Sequence, residues 1–167
     1  MTYDGLGRAG FDALSEAAAV EALLACCTSP VWARSVVAGR PYTSVDALYR
    51  AAEGALAELD EEEIDRALGG HPRIGARPDT VASAREQAGV AGAAEAVRVA
   101  LAEGNLAYEE KFGHIYLVCA TGKSGDELLE LLTARLGNDP EIERRVMRTE
   151  LAKINRIRLG RLLGDPA

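Results

Sequence analysis

The chain carries only two histidines, and His71 sits where a proton-transfer group would be useful. Gly69-Gly70 precedes it and Pro72 follows it. The glycine pair ends the preceding helix, and the proline biases His71 itself towards extended geometry. A ring that titrates near neutrality is thus held at a bend between two helices. Loops carried on a rigid frame often supply binding and catalytic groups. The competing reading is a partly exposed loop histidine without a chemical task.

A second candidate group follows closely. Ser83 and Glu86 lie seven and four residues before Val90, which starts an apolar stripe continued by Ala94, Val97 and Leu101. Extending that stripe backwards turns Ser83, Glu86 and part of Gln87 towards the buried face. A carboxylate aimed at a core needs a partner or a raised pKa, and either condition suits acid–base chemistry. The alternative is a capping box, in which Ser83 and Glu86 satisfy the first amides of a helix. A third candidate lies in the last helix. Its inward stripe of Met147, Leu151 and Ile154 continues into Arg158 and Arg161, while Arg156 points the opposite way. A guanidinium on an apolar face pairs with a carboxylate or grips an anionic ligand. Spacing alone leaves Arg158 and Arg161 both open.

The elements that must position these groups are helical. Residues 11–27 read as one helix, stopped by Ser29-Pro30. A short helix around Trp32 ends near Gly39. Thr43 or Ser44 caps a third, with Val45, Leu48, Ala52 and Leu56 on one face. Asp60 caps an acidic fourth that ends near Leu68. The central helix of Ser83 to Leu101 is expected to stop at Gly104-Asn105, with a further turn or two over residues 106–112. Residues 113–121 differ, because Ile115 to Cys119 form a continuous apolar run. With no second strand to pair with, that run reads as an irregular or extended connection, with a partly helical form as the alternative. Leu128, Leu129, Leu132 and Leu136 mark a helix closed by Gly137-Asn138, and Asp139-Pro140 opens the last one. The expectation is one all-α domain over residues 1–167, a compact bundle of about eight helices.

Composition narrows the function classes. The 167 residues suffice for one domain with a real core. A net charge of -7 argues against a nucleic acid or an anionic membrane as partner. Cys26, Cys27 and Cys119 are odd in number and lack metal-ligand spacing, so they read as buried thiols and no metal is expected. No stretch is apolar for long enough to span a bilayer, the N-terminus lacks the pattern of a signal peptide, and the last residues lack a peroxisomal tripeptide. The expected setting is soluble and cytoplasmic. Gly122-Lys123-Ser124 lacks the first glycine of a phosphate loop. His114 takes a structural role.

The motifs occur in a characteristic order: His71-Pro72-Arg73-Ile74-Gly75, Ser83-Ala84-Arg85-Glu86-Gln87-Ala88-Gly89, YEEKFG from Tyr108, Val118-Cys119-Ala120-Thr121-Gly122-Lys123-Ser124, Arg135-Leu136-Gly137-Asn138, and Lys153-Ile154 with Arg158-Leu159. Cys26-Cys27, Trp32 and Arg40-Pro41-Tyr42 precede them. Over nearly its whole length the chain resembles the family of 2-oxo-4-hydroxy-4-carboxy-5-ureidoimidazoline (OHCU) decarboxylases. The resemblance implies an all-α homodimer without metal or organic cofactor. It implies conversion of OHCU to (S)-allantoin and CO2, the third step of urate breakdown. It places the catalytic histidine on His71, the glutamate on Glu86 and the substrate-binding arginine on Arg158. Pro72, Ser83, Gln87 and the backbone of Val118, Cys119 and Ala120 would line the pocket. Two readings compete with this one: another ureide-acting lyase or hydrolase on the same scaffold, and a non-catalytic helical interaction module.

Overall fold

The computed structural model describes residues 3–76 and 80–164. The described residues form helices and connections, with no strand, as the all-α expectation requires. They form two compact units, residues 1–70 with 152–167 and residues 71–151.

The first unit holds α1 (Gly7–Ala13), α2 (Glu16–Leu24), α3 (Pro30–Ala38), α4 (Val45–Ala57) and α5 (Glu61–Leu68). Ser29, Ser44 and Asp60 each accept a backbone N–H at the start of α3, α4 and α5. Residues 11–27 are not one helix as expected. Ser15 caps α2 by accepting the Ala18 N–H. The Arg40 guanidinium takes the carbonyls of Phe11 at 2.9 Å and Leu14 at 2.8 Å, so a break there leaves few orphan groups. Trp32 is core, with its indole N–H donating to the Ala52 carbonyl at 2.9 Å.

The second unit holds α6 (Val81–Glu86), α7 (Ala88–Ala91), α8 (Glu95–Phe112) and α9 (Gly125–Leu136). The last helix, α10 (Pro140–Leu163), belongs to this unit up to Leu151 and to the first from Ala152. The expected central helix is broken twice. Gln87 leaves helical geometry at φ -99° and ψ 18°, and Ala94 is extended at ψ 149° and exposed. Gly104-Asn105 does not interrupt α8. A Cβ on Gly104 would stand 2.5 Å from Leu132 Cδ2, so this glycine serves the packing of α8 on α9. The described residues therefore hold ten helices in place of about eight.

Residues 114–120 lie outside any helix or strand, in keeping with the expected connection. Tyr116, Val118 and Ala120 enter a core with Ile74, Leu101 and Leu128. A buried run without helix or strand must find partners for its backbone. Arg135 donates to the Leu117 carbonyl at 2.6 Å. That guanidinium forms an ion pair with the fully buried Glu143, which also accepts from Tyr108 Oη and from Asn138 Nδ2. Burial, with the bond to Glu143, holds the Tyr108 hydroxyl well above its usual range.

Replacing Arg135 by leucine should lower stability by about 3–5 kcal/mol, because it leaves Glu143 buried without its counter-charge. Urea unfolding measures this, and Arg135→Leu combined with Glu143→Leu should regain much of the loss.

Candidate active site

Eight of the nine residues singled out for the site belong to the second unit: His71, Pro72, Ser83, Glu86, Gln87, Val118, Cys119 and Ala120. Arg158 belongs to the first.

The loop that follows α5 begins the second unit. His71 and Pro72 are half-buried, and Ile74 is anchored in the core. Gly75 adopts φ +86°, a conformation open to glycine and costly for other residues. Its N–H donates to Gln87 Oε1 at 3.0 Å. A backbone N–H bonds only an acceptor, so the Gln87 amide has one orientation. Its Nε2 is thereby offered as a donor, suited to a carbonyl or carboxylate oxygen.

The capping-box reading of Ser83 and Glu86 does not hold. Thr80 is the N-cap of α6, and its Oγ1 accepts the Ser83 N–H at 3.0 Å. Ser83 and Glu86 sit inside the helix, both buried. Ser83 Oγ also lies 2.9 Å from Thr80 Oγ1. Glu86, Gln87 and Ser83 thus form one buried polar edge on α6 and its end.

The turn that precedes α9 comes close to α7 through a glycine. A Cβ on Gly89 would stand 2.0 Å from the Lys123 carbonyl oxygen and 3.3 Å from Ser124 Cα. No other residue lets α7 lie on the turn at 122–124. The Ser124 capping box then starts α9 from that turn. Cys119 feels the Glu86 charge. Its thiol is pushed up by burial, helped by the Glu150 and Glu86 carboxylates, which outweigh the Thr121 backbone and Lys123. The Cys119 N–H donates to Glu150 Oε1 at 3.1 Å, so Glu150 holds the backbone at this point.

Arg158 is 9% exposed, and its Nη1 donates to the Cys26 carbonyl at 3.3 Å. Burial pushes the Cys26 thiol up to about 12 against the lowering effect of the Arg158 charge. Cys27 is raised for the same leading cause. Arg161 is half-buried, and Arg156 lies outside, paired with Glu53 at 2.8 Å over the Tyr49 ring. His114 packs against the rings of Tyr108 and Phe112.

Three supporting residues carried no role in the sequence reading: Asn105, Arg135 and Glu150. Each is a buried polar group on an otherwise apolar helical face. Asn105 lies between Leu101 and Tyr108, Arg135 follows Leu128 and Leu132, and Glu150 lies between Met147 and Ile154. That spacing was the available signal. Among the described residues no group of three or more His, Cys, Asp and Glu is placed to hold a metal ion. None of the helices is long and apolar enough to cross a membrane.

Residues 12–160 match the OHCU decarboxylase family. The uric acid degradation bifunctional protein of Arabidopsis thaliana is 31% identical over 150 residues, covering 85% of this chain and 46% of that protein. The 2-oxo-4-hydroxy-4-carboxy-5-ureidoimidazoline decarboxylase of Amia calva is 38% identical over 63 residues, covering 38% of this chain and 36% of that protein. A crystal structure of OHCU decarboxylase in the presence of (S)-allantoin superposes with a TM-score of 0.75 at 30% identity, covering 85% of this chain and 96% of that one. The chain spans less than half the length of these two curated relatives.

Gly89→Ala should cost about 1–3 kcal/mol in thermal or urea unfolding, because the clash is with backbone and cannot relax through a side chain. The three thiols should react with a disulfide reagent at pH 8 only after unfolding, because all three are buried and their pKa values are raised.

Proposed function

Since the chain belongs to the OHCU decarboxylase family, we propose that it converts OHCU to (S)-allantoin and CO2, a step in urate degradation. The observation that carries this reading is the 30% identity, over 85% of the chain, to an OHCU decarboxylase crystallised with (S)-allantoin. The family match crosses both compact units, which supports reading residues 1–167 as one functional domain. The same reading carries a homodimer in the cytoplasm, with no nucleic acid and no membrane as partner.

The chemistry suits the residue types present. OHCU carries a hydroxyl and a carboxylate on one ring carbon, beside a C=N bond. When the carbon–carboxylate bond breaks, its electron pair forms a carbon–carbon double bond and the C=N electrons move onto nitrogen. That nitrogen takes up a proton, the hydroxyl then gives up its own as the carbonyl forms, and the ring carbon bearing the ureido group takes a proton on one face. Only side chains are needed for these steps. His71 handles the proton at the hydroxyl and carboxylate end. Glu86 orients the ring or protonates it. Arg158 supplies a planar cation for the carboxylate. Gln87 offers its Nε2 to a substrate oxygen, since its Oε1 serves Gly75. Pro72, Ser83 and the backbone of Val118, Cys119 and Ala120 complete the lining.

The test is to generate OHCU in situ from urate and follow the circular dichroism of the product. Wild-type protein should raise the (S)-allantoin signal much faster than spontaneous decay. His71→Asn should lower kcat by at least ~10²-fold, the range for loss of a general acid or base, with unfolding unchanged. A wild-type rate equal to spontaneous decay would reject the reaction. Near-normal stereoselective turnover by His71→Asn would reject the role of that residue.

A further inference from the structure

The peptides after His71 are held by side chains at three successive residues, and two of the holders stand one turn apart on α8. The Arg73 guanidinium meets Glu109 through two hydrogen bonds, Nε to Oε2 at 2.9 Å and Nη2 to Oε1 at 2.8 Å. Asn105 Nδ2 donates to the Ile74 carbonyl at 2.8 Å. The Gly75 N–H donates to Gln87. The first pair is exposed and open to solvent screening. The bond from Asn105 is buried, so it is the one water does not replace.

Asn105 is 4% exposed, and its Oδ1 has no hydrogen-bond partner among the described residues. A buried acceptor without a donor destabilises the fold. A leucine of similar size would remove that liability on a face that otherwise carries Leu101 and Tyr108. What the amide gives in return is the bond to Ile74. Packing does not give the same hold. The Ile74 side chain is anchored, but residues 73–76 border a cleft of about 310 Å³ whose far side is Arg98, Ala102 and Leu106 of α8. The loop backbone has room to shift into that space.

We propose that Asn105 is a positioning residue for the His71 loop, fixing the Ile74 carbonyl so that the imidazole, three residues earlier, stays in register with its substrate. The proposal rests on the reading of His71 as the proton-transfer group. Misplacement of such a group by about 1 Å costs on the order of 10²-fold in rate. Substrate affinity should change less than turnover, because Arg158 is untouched and the Gln87 side chain itself is retained.

Asn105→Leu should therefore lower kcat on OHCU by about 10- to 100-fold. KM should stay within about threefold, and the melting temperature should be equal or higher. Asn105→Asp adds a readout that a purely structural role would not move. Its carboxylate faces the Ile74 carbonyl at neutral pH, whereas its protonated form can donate. Its kcat relative to wild type should rise as pH falls, and Asn105→Leu should show no such recovery. Independently of turnover, NMR of the two variants should show displaced His71 ring resonances and faster exchange of the Gly75 amide. Unchanged kcat in Asn105→Leu, or a loss that tracks a falling melting temperature, would overturn the proposal. So would an undisturbed His71 signal. If wild-type protein fails to act on OHCU, the functional reading falls, while the NMR comparison still decides whether Asn105 sets the His71 loop.

Discussion

A buried backbone without helix or strand must be given partners in a helical protein, and the arrangement of the second unit follows from that constraint. Residues 114–120 make no ladder, so side chains from helices supply the bonds. Arg135 takes the Leu117 carbonyl, Glu150 takes the Cys119 N–H, and Tyr116 Oη donates to the Leu128 carbonyl. The ion pair of Arg135 with Glu143 makes the first bond dependable, because a guanidinium without its counter-charge would be costly at such depth. Tyr108 and Asn138 complete the coordination of Glu143 and tie α8 and the start of α10 into the same network. The Glu86 charge reaches this run at Cys119.

The same economy governs the His71 loop. It contains a glycine at positive φ, and three side chains from outside hold it. The Gln87 oxygen fixes the loop, which sets the orientation of its amide and turns its nitrogen into a donor. A group bound at both ends of its amide is better oriented than one held by its stem alone. Placing the buried carboxylate of Glu86 next to it on the chain puts one potential proton carrier and one oriented donor on the same edge.

Local signals were legible in the sequence where the physics is local. Ser29-Pro30 marked the end of a helix, Asp60 read correctly as a cap, Ser44 was one of two caps offered for its helix, and the apolar run of Ile115 to Cys119 lies outside helix and strand as a connection should. Tertiary forces decided the rest. The stripe Val90, Ala94, Val97, Leu101 fits one helix, yet α7 ends at Ala91 and the extended Ala94 separates it from α8. Gly104 looked like a stop because a lone residue type cannot reveal that Leu132 occupies the place of its Cβ. Ser83 and Glu86 fitted a capping box because the true cap, Thr80, has the same chemistry three residues earlier. The site residues themselves came from the ordered motifs of the family, while their supports, Asn105, Arg135 and Glu150, had only the weaker mark of a polar residue on an apolar face.

The central claim is that these held segments present a site for the ureido-imidazoline. It is tested most directly by an NMR titration with (S)-allantoin, the product of the proposed reaction. Saturable shifts should appear at the Gln87 side-chain amide and at the backbone amides of Val118 to Ala120, with Glu86→Gln altering the pattern. Shifts confined to the α8 face around Arg98 and Leu106, or no saturable shift at all, would contradict it.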